Sequence, residues 1–162
     1  MTLMLRKFLR PGEFYATQRP AVIETLVGSC VTVCLYDFKA GFGMMNHYVR
    51  DHPRDELGAN VGEFGITATQ RIVRAALKID DNSQHYRAGV FGGAAVLKMA
   101  SGQGDIGEAN VKVARDVLRA AGIRIVREEV GGTRGRRVTF NTQTGEIECR
   151  FAGDIPRKKR NP

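Results

Sequence analysis

A chain of 162 residues with 43% hydrophobic content suits one compact domain with a real core. Nothing in it has the length of a membrane span or the apolar centre of a signal peptide, so a cytoplasmic protein without membrane insertion is expected. The formal charge of +8 raises nucleic acid as a partner, but four positive charges lie in the run Arg157-Lys158-Lys159-Arg160 and few aromatics interleave the rest, so none is expected.

Arg10-Pro11-Gly12 is a turn signal, and Glu13 to Thr17 alternates weakly as a short strand. Arg19-Pro20 interrupts it, and the β-branched run Ala21 to Val27 reads as a second strand that Gly28-Ser29 breaks just before Cys30. Val31 to Tyr36 is the strongest strand signal. Asp37 to Gly43 supplies turn residues, and Met44 to Val49 resumes an apolar extended segment, so the two predict a β-hairpin. Closed symmetrically, that hairpin sets Cys30 directly opposite His47. Arg50 to Glu63, with Pro53 and nearby glycines, reads as a surface loop.

From Ile66 the period becomes helical, with Val73, Ala76 and Leu77 on one stripe and Arg71, Arg74 and Lys78 off it. Asp80 to Ser83 ends this helix. Tyr86 to Phe91 is a strand stopped by Gly92-Gly93, and Ala94 to Met99 fits helix or strand equally. Ser101 to Asp105 leads into a second amphipathic helix marked by Ile106, Val113, Val117, Leu118 and Ala121, with Gly122 placed as its C-terminal cap. Strands follow over Ile123 to Val130, Arg136 to Asn141 and Glu146 to Phe151, the last two forming a hairpin. Many strands with two helices make a single mixed α+β domain, assigned to 11–153, with an N-terminal segment over 1–10 and a basic tail over 154–162.

Three cysteines, an odd number without an export signal, argue for free thiols rather than a disulfide framework. Taken alone, Cys30 beside an apolar strand reads more readily as a small buried hydrophobe than as a nucleophile. The Gly28-Ser29 turn can free backbone N–H groups for an oxyanion, His47 can reach the thiol, and the Thr25 hydroxyl can orient the imidazole. Those three features favour thiol chemistry at Cys30, and a cysteine is a better nucleophile near neutral pH than its neighbour Ser29. Cys34 reads as core and Cys149 receives no role. A zinc site on Cys30, Cys34 and His47 lacks a fourth ligand, so neither metal nor cofactor is expected. His52 and His85 read as solvated. Gly92-Gly93 and Gly131-Gly132 fit no phosphate-loop spacing; they read as tight turns, or as places where backbone comes close to the catalytic pair.

The run Thr25-Leu26-Val27-Gly28-Ser29-Cys30-Val31-Thr32-Val33-Cys34-Leu35-Tyr36-Asp37 resembles the signature of the CheD family of chemoreceptor glutamine deamidases. Further blocks agree in order: Gly43 to His47, Val90 to Ala94, Ile106 to Asn110 and Gly131 to Val138. Ala95 and Ala109 depart from that pattern, and Gly58 to Thr69 matches poorly. The resemblance implies an α/β sandwich like that of the deamidating cytotoxic necrotizing factors, a single-domain cysteine hydrolase fold. It implies Cys30 as nucleophile, His47 as base and Thr25 as the third member, with backbone around Gly28 and Ser29 at the oxyanion. The implied activity converts receptor glutamines to glutamate with release of ammonia; some members are also methylesterases. The implied partners are methyl-accepting chemotaxis receptors and a CheC-like phosphatase. The alternatives are a non-catalytic module that binds receptor or phosphatase, and a basic nucleic-acid-binding protein.

Overall fold

The computed structural model describes residues 4–53, 61–95 and 105–154. Among the described residues, nine strands form two sheets. The first has the order β1-β3-β8-β9, made of Leu5–Phe8, Ala21–Val27, Arg136–Asn141 and Ile147–Phe151. The second has the order β2-β5-β4-β6-β7, made of Phe14–Thr17, Phe42–Asn46, Val31–Asp37, Tyr86–Gly92 and Arg124–Val130. β1 runs parallel to β3 and β6 parallel to β7, and every other pairing is antiparallel.

The sheets stack face to face, and α1 (Gly65–Ile79) and α2 (Ile106–Ala120) cover the outer face of the second sheet. The central strand β4 shows why. Val31, Val33 and Leu35 pack against the helices through Ile72, Ala76, Ala114 and Leu118. The alternate side chain Cys34 joins Ile23, Val27, Met45, Phe91, Val138 and Phe140 between the sheets. A strand covered on both faces reads as a continuous apolar run rather than an alternating one, and β4 does so.

Both helices are amphipathic, as their periodicity predicts, and α2 is capped at each end. The Asp105 carboxylate accepts from the Glu108 N–H at 3.1 Å, and Gly122 takes φ +71° so that Ile123 N–H reaches the Leu118 carbonyl at 3.0 Å. The strands expected from Ala21 to Val27 and from Arg136 to Asn141 form over those same spans.

Two expectations need correction. The first concerns the N-terminal segment: Leu5–Phe8, assigned outside the domain, is an edge strand of the first sheet, and Leu9 beyond it is fully buried. The second is the hairpin register. Asp37 pairs with Phe42 around a four-residue turn, because Asp37 Oδ1 accepts the N–H groups of Lys39 and Ala40 at 2.8 Å and Gly41 takes φ +72°. Cys34 therefore faces Met45, and Val31 faces Tyr48. This register places His47 at the level of Thr32, so Cys30 is its diagonal neighbour on the same face rather than its direct opposite. The ambiguous segment from Ala94 to Met99 and the basic tail lie largely outside the described residues.

Leu118 is fully buried between α2 and the second sheet, whereas Leu26 is 41% exposed on the outer face of the first. Leu118→Ala is expected to lower the urea-unfolding free energy by about 2–5 kcal/mol. Leu26→Ala is expected to change it by less than about 0.5 kcal/mol. Equal losses at the two positions would contradict this layering.

Candidate active site

β3 and β4 belong to different sheets, so Gly28, Ser29 and Cys30 carry the chain from one layer to the other. Their carbonyls are all tied down. Gly28 O accepts from Ala94 N–H at 2.9 Å, Ser29 O from Asn110 Nδ2 at 2.9 Å, and Cys30 O from Gly93 N–H at 2.9 Å. A trans peptide points its N–H opposite to its carbonyl, so fixing the Gly28 and Ser29 carbonyls turns the Ser29 and Cys30 N–H groups the other way. Among the described residues no other backbone or side-chain acceptor meets either N–H; the Cys30 N–H lies by its own sulfur. Two oriented, unspent donors beside a thiol form a cradle for a developing negative oxygen.

Glycines make this close approach feasible. A Cβ on Gly92 would lie 2.2 Å from the Cys30 carbonyl oxygen, and Gly92 adopts φ +114°. A Cβ on Gly107 would lie 2.3 Å from the Gly93 carbonyl oxygen, so only glycine lets the first turn of α2 dock there. Arg136 braces the turn from behind, donating to the Gly131 carbonyl at 2.9 Å. Of the two readings of these glycine pairs, Gly92-Gly93 fits close backbone approach.

His47 follows β5 and is 3% exposed. Its Nδ1 lies 2.7 Å from Thr25 Oγ1, and that hydroxyl donates to the Leu9 carbonyl at 2.8 Å. A hydroxyl has one proton, and a carbonyl can only accept. With that proton committed to Leu9, Nδ1 must donate to Thr25, which places the other lone pair on Nε2. Nε2 is buried and has no hydrogen-bond partner among the described residues. The imidazole is thus held as a neutral base with its accepting nitrogen unspent.

Burial sets the resting charges. It lowers the His47 imidazole to about 4, against the raising effect of Glu13. It raises the Cys30 thiol above its ordinary range, partly offset by the residue's own backbone N–H. At neutral pH the two groups are therefore thiol and imidazole, not a preformed ion pair. Burial also raises the other two thiols, Cys149 to about 11 and Cys34 further still. Cys34 sits in the core between the sheets, where its sequence context puts it.

His52 is exposed, as expected. His85 is not simply solvated: it is half-buried, 2.7 Å from the Asp80 carboxylate. Among the described residues, no three His, Cys, Asp or Glu side chains converge as metal ligands do.

The fold brings Thr25 and His47 into contact and sets Ser29 and Cys30 on the adjoining crossover. Two contributors escaped the sequence reading. Leu9 acts only through its carbonyl, which no residue type betrays. Asn110 is fully buried on an otherwise apolar helix face, and a lone amide at a core position of an amphipathic helix is the signal that could have found it.

Residues 50–151 match a family model described as CheD chemotactic sensory transduction. That match takes in both helices and β6 to β9, while Thr25, Cys30 and His47 precede it. Curated relatives span nearly the whole chain. A Rhodospirillum rubrum protein named "Probable chemoreceptor glutamine deamidase CheD" is 37% identical, over 91% of this chain and 82% of its own. Namesakes from Trichlorobacter lovleyi and Sulfurimonas denitrificans are 36% and 31% identical, over 86% and 90% of this chain and 86% and 94% of their own. In structure, the hypothetical protein YfiH of Bacillus licheniformis aligns with a TM-score of 0.51 at 15% identity, over 72% of this chain and 49% of that one, a likeness of fold alone. With a family match over more than half its length and relatives of this identity along nearly all of it, the chain belongs to the CheD family.

Proposed function

We propose that this protein deamidates glutamine side chains on methyl-accepting chemotaxis receptors, yielding glutamate and ammonia. The observation that carries the reading is the fixed imidazole: Thr25 and Leu9 leave Nε2 unspent on the face that Cys30 shares. The names borne by the relatives supply the substrate class. A CheC-like phosphatase is the second partner proposed from the family resemblance. The basic bias does not favour nucleic acid, because Arg115, Arg127, Arg134 and Arg137 are engaged with Glu128, Glu129, Asp154 and Glu24.

In the proposed reaction, His47 Nε2 takes the Cys30 thiol proton as sulfur bonds to the carboxamide carbon, and the carbonyl π pair moves onto oxygen. The Ser29 and Cys30 N–H groups receive that oxyanion. Collapse breaks the carbon–nitrogen bond, and Nε2–H gives its proton to the departing nitrogen, releasing ammonia and leaving a thioester. Water, deprotonated by Nε2, then adds to the thioester carbon. The adduct expels the sulfur, which regains its proton from Nε2–H, and the glutamic acid formed releases its own proton to solvent, leaving a glutamate carboxylate. Thr25 holds the ring through both proton transfers.

Incubation with a receptor cytoplasmic fragment, followed by peptide mass spectrometry, tests this directly. Wild type is expected to convert selected glutamines to glutamate, and Cys30→Ala to convert none; conversion by Cys30→Ala would refute the thiol mechanism. Thr25→Val removes the acceptor of Nδ1–H and is expected to lower kcat about 10–100-fold, with Thr25→Ser restoring most of it.

The lowered His47 pKa also links stability to pH. The unfolded chain takes up this proton below its ordinary value of 6.5, and the folded protein only near 4. Stability is therefore fully present above pH 6.5 and falls as pH drops toward 4, by up to about 3 kcal/mol from this group. Urea midpoints measured from pH 7 to 4 should fall more steeply for wild type than for His47→Gln. Parallel curves would mean that the imidazole titrates normally.

A further inference from the structure

We infer that Asn110 is a positioning residue that aims the Cys30 N–H and ties the nucleophile's crossover to the segment carrying His47. The inference rests on the deamidase reading above. Asn110 is fully buried in the second turn of α2, and its Nδ2 donates to two carbonyls from separate parts of the chain. One is Ser29 O at 2.9 Å, immediately before the nucleophile; the other is Val49 O at 2.8 Å, two residues past His47. Its main-chain carbonyl accepts from the hydroxyl of Tyr48, whose backbone pairs with Val31. One residue thus contacts Ser29, Tyr48 and Val49, which bracket Cys30 and His47.

Packing alone does not require an amide here. The helix face around it is built from Val111, Val113, Ala114, Val117 and Leu118, and an aliphatic side chain would fill the space but leave the Ser29 and Val49 carbonyls without the donor that holds them. The amide also carries a cost. Its Oδ1 is buried with no partner among the described residues, a penalty of about 1–3 kcal/mol. What the amide supplies in return is orientation. The Ser29 carbonyl and the Cys30 N–H belong to one planar peptide, so holding the first at 2.9 Å fixes the direction of the second. A hydrogen bond on a peptide carbonyl also polarises the N–H at its other end, strengthening the donor that meets the oxyanion. Gly107 completes the device, since any side chain there would push α2 off Gly93 and carry Asn110 away from Ser29.

The experiment compares two reactions of the same thiol in the full-length protein. Deamidation of the receptor fragment passes through an oxyanion, whereas alkylation of Cys30 by iodoacetamide does not. Asn110→Ala is expected to lower kcat for deamidation roughly 100-fold with KM changed less than about threefold. Its alkylation rate should stay within about threefold of wild type, because displacement at iodoacetamide needs no oriented N–H. Asn110→Ser, which keeps one donor, should fall between wild type and Ala, and it decides the matter alone if the Ala variant does not fold by circular dichroism. Undiminished kcat in these variants, with an active wild type, overturns the inference and leaves the deamidase reading standing. Alkylation that falls in parallel with kcat also overturns it, by showing collapse of the loop rather than lost orientation. A wild type that leaves the receptor fragment unmodified overturns both.

Discussion

The interaction on which the site depends is a two-bond chain across the sandwich, from His47 Nδ1 to Thr25 Oγ1 and from Thr25 to the Leu9 carbonyl. Thr25 and Leu9 belong to the first sheet and its edge, His47 to the second. Each sheet thus contributes what the other lacks: one brings the imidazole, the other fixes which nitrogen carries the proton. Because a carbonyl can only accept, the order of donors along this chain has one solution. Loss of the hydroxyl at position 25, or a shift of β1 along β3, would leave the ring free to adopt either tautomer.

The same division explains the crossover. Residues 28–30 leave the first sheet and enter the second, so they lie outside both ladders, and their peptide groups must find partners elsewhere. They find them on the inner side, from Ala94, Gly93 and Asn110. The outward N–H groups are what remains after that accounting. An unsatisfied donor is ordinarily a defect, but here it is the residue of a backbone satisfied from one side only. Gly92, Gly93 and Gly107 are small because three backbones converge at that point.

Sequence patterns revealed the local elements and the candidate residues. Helix periods, strand runs and the Gly122 cap all follow from near neighbours, and they match the structure closely. What escaped is set at long range. Leu5–Phe8 carries two adjacent cations and no alternation, and it becomes a strand only because β3 offers a parallel edge. The hairpin register turned on Asp37 capping its own turn, which moved the centre of the hairpin one residue further along the chain than expected and made Cys30 and His47 diagonal neighbours. Asn110 sat in a block that the family resemblance singles out, yet its partners lie 61 and 81 residues away, beyond any local pattern.

The neutral resting state of Cys30 bears on how the protein survives in a cell. Oxidation by peroxides or disulfides begins with attack by the thiolate, and a thiol held above its ordinary pKa offers few thiolates. In the proposed reaction Cys30 would lose its proton only while a carboxamide sits over it, so its exposure to oxidation would last for a turnover and little longer. The burial that raises the thiol would thus give it durability, and under the proposed mechanism the timing of its activation would fall to the substrate.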